Sequence, residues 1–80
     1  MPEHRREKRL VADATAQIIL PTHPPIGCRI LDVSWSGARL RVGSVLGIPE
    51  TFRLATRTIT EPIPVKVVWR GANELGIAYL

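Results

Sequence analysis

The sequence predicts an all-β protein, a six-stranded antiparallel β-barrel, on three observations. Six stretches alternate apolar and polar residues with the period of two that marks a half-buried strand. Turn-forming Gly, Pro, Asn and Ser residues separate them at intervals of roughly 8–12 residues. No segment carries the 3.6-residue apolar stripe of an amphipathic helix. Closing the sheet also removes the exposed edges through which so aliphatic a chain would aggregate.

Residues 1–9 lack apolar periodicity and read as a flexible basic arm, leaving residues 10–80 as the domain. The first strand covers residues 10–20, with Ala14, Ala16, Ile18 and Leu20 inward and Asp13, Thr15 and Gln17 outward. Pro21, Pro24 and Pro25 stop it in a stiff turn, since proline fixes φ and donates no hydrogen bond. The second strand runs from Ile26 to Val33. The third runs from Ala38 to Val42, with Arg39 and Arg41 outward. Gly47 and Pro49 punctuate a loop before a fourth strand from Thr51 to Thr58, which turns Phe52 and Leu54 inward. The fifth, the longest alternation, sets Ile63, Val65, Val67 and Trp69 against Pro64, Lys66, Val68 and Arg70 and packs Trp69 in the barrel. Gly71-Ala72-Asn73 makes a hairpin turn into the last strand, with Leu75, Ile77 and Tyr79.

Eighty residues at 45% hydrophobic and 22% charged composition suffice for one small globular domain and exclude a second core. A domain this small is marginal alone, so a partner, a ligand or a second copy would stabilise it. The single cysteine, Cys28, cannot form an internal disulfide and reads as a small core residue. Neither His4 nor His23 is spaced to complete a metal site with it, and no nucleophile–base pair or paired carboxylates argue for an enzyme. No apolar run approaches the ~18 residues of a membrane span. The Met1-Pro2 start without a signal peptide reads as a whole cytoplasmic protein.

The net charge of +4 is concentrated at the N-terminus, where Arg5, Arg6, Lys8 and Arg9 are relieved only by Glu7. Such a cluster attracts phosphate on a nucleotide, an anionic membrane or a nucleic acid. The lack of interleaved aromatics argues against nucleic acid. The second unusual stretch is Asp32-Val33-Ser34-Trp35-Ser36-Gly37, between the second and third strands. By itself it reads as a tight turn, with Gly37 free to take a positive φ.

Together the two stretches carry a resemblance. Arg5 and Arg9 supply Arg-x-x-x-Arg. After twenty-two intervening residues, Asp32-x-Ser34-x-x-Gly37 supplies the second motif. Gly37-Ala38-Arg39-Leu40, Val67-Val68-Trp69 and Gly76-Ile77-Ala78-Tyr79 extend the likeness. The chain resembles the PilZ domain family, bacterial receptors for cyclic di-GMP. The resemblance implies a non-catalytic receptor whose arm folds over a dinucleotide held on the barrel surface. It assigns Arg5 and Arg9 to phosphate and guanine, Asp32 and Ser34 to a guanine edge, and Gly37 to the turn.

The chemistry is consistent with that assignment. The arginine fork pairs with phosphate oxygens or with guanine O6/N7, and its flat face stacks on purines. A carboxylate accepts from guanine N1–H and N2–H₂. His4, next to Arg5, occupies a family position that influences whether one ligand or a stacked pair binds. Arg6 and Arg39 extend the cationic surface or are solvated. Trp35 lies beside the ligand, or makes a core or partner contact. Many relatives add a C-terminal helix over the barrel that this sequence lacks, which leaves an apolar rim that a second copy could bury in a weak homodimer.

Three functions follow. A stand-alone receptor would relay cyclic di-GMP to a downstream protein in motility, biofilm or exopolysaccharide control. The same fold could act as an interaction module without the nucleotide. A small basic barrel could bind RNA or DNA.

Overall fold

The computed structural model describes residues 10–58 and 61–80. Within them the chain forms six strands and no helix: β1 (Leu10–Leu20), β2 (His23–Val33), β3 (Gly37–Arg41), β4 (Thr51–Thr56), β5 (Ile63–Arg70) and β6 (Glu74–Tyr79). All pairings are antiparallel and close in the order β1-β2-β3-β6-β5-β4. The predicted barrel is the observed one.

Alternation fills it. Every strand sends two apolar side chains into the core: Ala16 and Ile18, Cys28 and Ile30, Ala38 and Leu40, Phe52 and Leu54, Val65 and Val67, Leu75 and Ile77. Val42 and Ile48 add to them from the β3–β4 connection. Ile18, Leu40, Leu54, Val65 and Leu75 are fully buried, each contributing about 1.5–3 kcal/mol. The interior of so small a barrel is therefore side chain, with no channel.

Several local expectations are corrected. The proline stretch does not interrupt pairing for long: only Pro21-Thr22 turns, and β2 begins at His23, with Leu20 opposite His23. Pro24 and Pro25 fall where β2 holds one residue more than β1, an irregularity that tolerates residues without an N–H. Ala14 is exposed, because β4 hydrogen-bonds only to Ala16–Ile19 of β1 and leaves the earlier residues uncovered. β3 ends at Arg41, although Val42 stays buried with its N–H on the Asn73 carbonyl at 2.9 Å. β4 stops at Thr56 rather than Thr58.

Two further irregularities matter more. Between Ile30 and Asp32, β2 carries an extra residue relative to β3; between Val67 and Trp69, β5 carries one relative to β6. Each resets the alternation by one residue, so the side chain that follows turns to the opposite face. Asp32 consequently sits opposite Arg39, and Trp69 opposite Gly76, on the outside of the barrel. Trp69 is 45% exposed and not in the core, as the uninterrupted alternation suggested.

Candidate functional site

The two resets build one transverse row. Cα partners run Val11 (β1), Asp32 (β2), Arg39 (β3), Gly76 (β6) and Trp69 (β5) across the outer face. Residues directly opposite share a face. Arg39 and Gly76 alternate with the buried Ala38, Leu40, Leu75 and Ile77, so the row faces outward.

Asp32 is the one buried charged residue described, 8% exposed. Its Oδ2 accepts from Arg39 Nε at 3.0 Å. Arg39 Nη1 reaches Glu74 Oε1 at 3.6 Å, and Arg41 Nη2 reaches Glu74 Oε2 at 3.5 Å. The strand register places Arg41 opposite Glu74, so charges alternate along Asp32–Arg39–Glu74–Arg41. Exposed ion pairs are worth little, but a nearly buried carboxylate needs its partner. Arg39 and Arg41 still face water, at 44% and 59% side-chain exposure, and can meet an anion from solution.

Beside Arg39 lies an aromatic surface. A Cβ on Gly76 would overlap Nε1, Cε2 and Cδ1 of Trp69, so the indole lies directly over the glycine backbone. It thus lies over β6 at the residue that pairs with Arg39 of β3. Cation, carboxylate and flat ring stand together on neighbouring strands.

The turn after Asp32 is closed by Ser34 N–H donating to the Gly37 carbonyl at 2.8 Å, with Ser34 Oγ on the same oxygen at 3.4 Å. Gly37 does not owe its place to a positive φ; among the described residues only Gly47 has one. It is required because any Cβ there would strike the Ile77 carbonyl of β6. Trp35, at the tip, is 87% exposed and makes no core contact.

His4, Arg5, Arg6 and Arg9, with the rest of the predicted arm, lie outside the described residues. The described chain begins at Leu10, opposite Val33, with Val11 opposite Asp32. Arg9 is joined to Leu10 by one peptide unit, about 3.8 Å between Cα atoms.

Sequence reasoning thus missed Trp69, Glu74 and Val11. The signal for Trp69 was Gly76: a glycine inside a strand pattern marks a bulge or a close approach. A groove of about 790 Å³ lies elsewhere, lined by Arg29, Arg41 and Arg57 together with Ala16, Cys28 and Val42, and includes neither Asp32 nor Ser34. Arg29 there is paired with Asp13 at 2.6 Å. The described residues hold no group of three His, Cys, Asp or Glu able to bind a metal and no helix long and apolar enough to cross a membrane.

No curated protein matches the chain. The family model for the PilZ domain matches residues 3–80, nearly its whole length. With a closed six-stranded barrel and the Asp32–Gly37 turn between β2 and β3, the chain belongs to the PilZ domain family.

Proposed function

We propose that this protein is a cytoplasmic, non-catalytic receptor for cyclic di-GMP, a ligand for which its family is known. The observation that carries the reading is the entry of β1 beside Asp32. Arg5 and Arg9 precede that strand in sequence, and on this reading they meet the ligand at the one carboxylate in the row. Asp32 accepts from the guanine N1–H and N2–H₂ edge, Ser34 supports the turn, and Arg5 and Arg9 take phosphate and the guanine O6/N7 edge. His4 and Arg6 adjoin that grip in sequence. Arg39 holds the Asp32 carboxylate, and the Trp69 indole offers a face on which a second base stacks.

Ligand binding orders the arm over the barrel, and the reordered surface is what a downstream protein reads in motility, biofilm or exopolysaccharide control. Ordering a segment lowers net affinity, so a low-micromolar dissociation constant, about −8 kcal/mol, is expected. One lost charge-assisted contact costs roughly 1.5–3 kcal/mol. Arg5→Ala or Arg9→Ala therefore weakens binding about ten- to a hundredfold.

One observation favours a second reading, an interaction module without a nucleotide: Asp32 is already engaged by Arg39. Calorimetric titration with cyclic di-GMP, GTP and single-stranded RNA separates the readings, with Asp32→Ala alongside. Selective saturation by the dinucleotide, lost in Asp32→Ala with the fold intact, supports the receptor. No heat with any ligand leaves the module, and a salt-steep preference for RNA indicates nucleic-acid binding.

A further inference from the structure

Three arginines line the groove of about 790 Å³: Arg29 from β2, Arg41 from β3 and Arg57 from the segment after β4. The register sets Thr15, Arg29 and Arg41 in one row across β1, β2 and β3, all three exposed. Arg29 and Arg41 are therefore direct cross-strand neighbours, with Cβ atoms about 4.5–5.5 Å apart. Like charges so placed repel one another and destabilise a sheet. An anion received between the two guanidinium groups replaces that repulsion with charge-assisted hydrogen bonds.

The carboxylates nearby leave the groove cationic. Asp13 Oδ1 accepts from one terminal nitrogen of Arg29 at 2.6 Å, but its side chain is 77% exposed, and a pair so solvated is weak. Glu74 stands 3.5 Å from Arg41 and shares its other oxygen with Arg39 at 3.6 Å. A guanidinium carries five N–H donors, so Arg29 and Arg41 keep most of theirs for a ligand. Arg57 makes no ion pair or hydrogen bond among the described residues.

The rest of the lining narrows the kind of anion. Thr15 and Gln17 add a hydroxyl and an amide. Gly27, opposite Gln17, leaves open space, since a Cβ there meets nothing within 4 Å. No aromatic side chain lines the groove, so nothing in it stacks on a base. An acidic peptide fits less well: Ala16 and Gln17 are paired to both β2 and β4, which leaves no strand edge there for a peptide backbone to join. The volume falls within the roughly 300–1,000 Å³ of small-molecule clefts. We propose that this groove binds a chain of phosphates, free or as the tail of a nucleotide. Arg29 and Arg41 grip one phosphate from adjacent strands, and Arg57 takes another. Neither Asp32 nor Ser34 lines it, so the groove stands whether or not the Asp32 turn receives cyclic di-GMP.

The test is calorimetric titration of the full chain with tripolyphosphate, ATP and hexaglutamate, in wild type, Arg57→Gln, Gly27→Asp and Arg5→Ala/Arg9→Ala. Expected are similar affinities for tripolyphosphate and ATP, weakened by salt, and no comparable binding of hexaglutamate. Arg57→Gln loses roughly tenfold, one charge-assisted contact. Gly27→Asp sets a carboxylate in the open space and loses at least as much, while Arg5→Ala/Arg9→Ala keeps wild-type affinity. Unchanged urea midpoints show that the variants fold. Absence of tripolyphosphate binding, wild-type affinity in both groove variants, or hexaglutamate bound as tightly as tripolyphosphate overturns the proposal. So does a loss confined to Arg5→Ala/Arg9→Ala, which assigns the phosphates to the N-terminal arginines.

Titrating the same proteins with cyclic di-GMP keeps this site and the receptor reading apart. Tripolyphosphate binding in a protein that takes no cyclic di-GMP refutes the receptor and leaves the groove standing. Gly27→Asp that binds cyclic di-GMP as wild type and has lost tripolyphosphate puts the two ligands in different places; loss of both together overturns a separate phosphate site.

Discussion

Adding one methyl group at Gly37 is the sharpest test of the barrel's geometry. The new Cβ would strike the Ile77 carbonyl oxygen and lie 2.9 Å from its carbon and 3.1 Å from Ala78 Cα. All three are β6 backbone atoms in the ladder with β3 and cannot swing aside as a side chain would. Restoring ordinary contact requires the strands to part, straining the neighbouring Tyr79 N–H bond to Ser36, 2.7 Å long. One or two weakened hydrogen bonds at about 1 kcal/mol each, added to overpacking of about 1–3 kcal/mol, give a cost near 3 kcal/mol. A domain of this size has roughly 4–12 kcal/mol in all, and the melting temperature should fall by roughly 12–24 °C.

Two controls set the scale. A Cβ at Gly27 meets nothing within 4 Å, and that residue has no positive φ, so Gly27→Ala should be neutral or gain about 0.4–1 kcal/mol. At Gly76 the obstacle is the half-exposed Trp69 ring, which can move. Gly76→Ala should cost about 1 kcal/mol, less than Gly37→Ala. Urea unfolding followed by circular dichroism measures all three. A Gly37→Ala protein within about 0.5 kcal/mol of wild type, or a reversed order, would refute the reasoning.

Three further outcomes are expected. Leu40→Ala empties a fully buried site and should cost about 2–5 kcal/mol in the same unfolding assay. Arg39→Ala removes an ion-pair partner of the nearly buried Asp32 carboxylate and should cost about 1–3 kcal/mol at neutral pH, more than an exposed pair is worth; a double-mutant cycle with Asp32→Asn recovers the coupling. Burial pushes the Cys28 thiol up from 9.0 to about 11. The folded state therefore holds its proton where the unfolded state releases it, and this group's stabilising contribution, full below pH 9, declines as pH rises through about 11. Thiol labelling of the folded protein should stay slow up to pH 9, and rapid labelling at neutral pH would contradict the burial.

The fold was legible because an aliphatic barrel writes itself as alternation. Phe52 and Leu54 against Arg53, or Ala38 and Leu40 against Arg39 and Arg41, leave little choice of face. The Asp32–Gly37 turn was equally plain, since few other sequences reverse a chain so tightly. Trp69 was misplaced because period-two reasoning assumes that no strand carries an extra residue, and β5 does. Gly37 was credited to dihedral freedom when the reason is steric, a contact with β6 forty residues later in the chain that local sequence does not encode. The partnership of Asp32 with Arg39, and of Arg39 with Glu74, was out of reach for the same cause: the β2–β3 register contains a reset, and β6 joins β3 only in three dimensions. The arm's residues, His4 through Arg9, stand as the sequence left them.

The spare residues in β2 and β5 carry a consequence for how such domains diverge. Excising Val68 alone would close the bulge and leave Trp69 directly after the inward Val67, still opposite Gly76 on the outer face. A lineage can thus straighten β5 through a single-codon deletion and keep its aromatic platform. Strand length can therefore vary where the cross-strand pairing that sets the row does not.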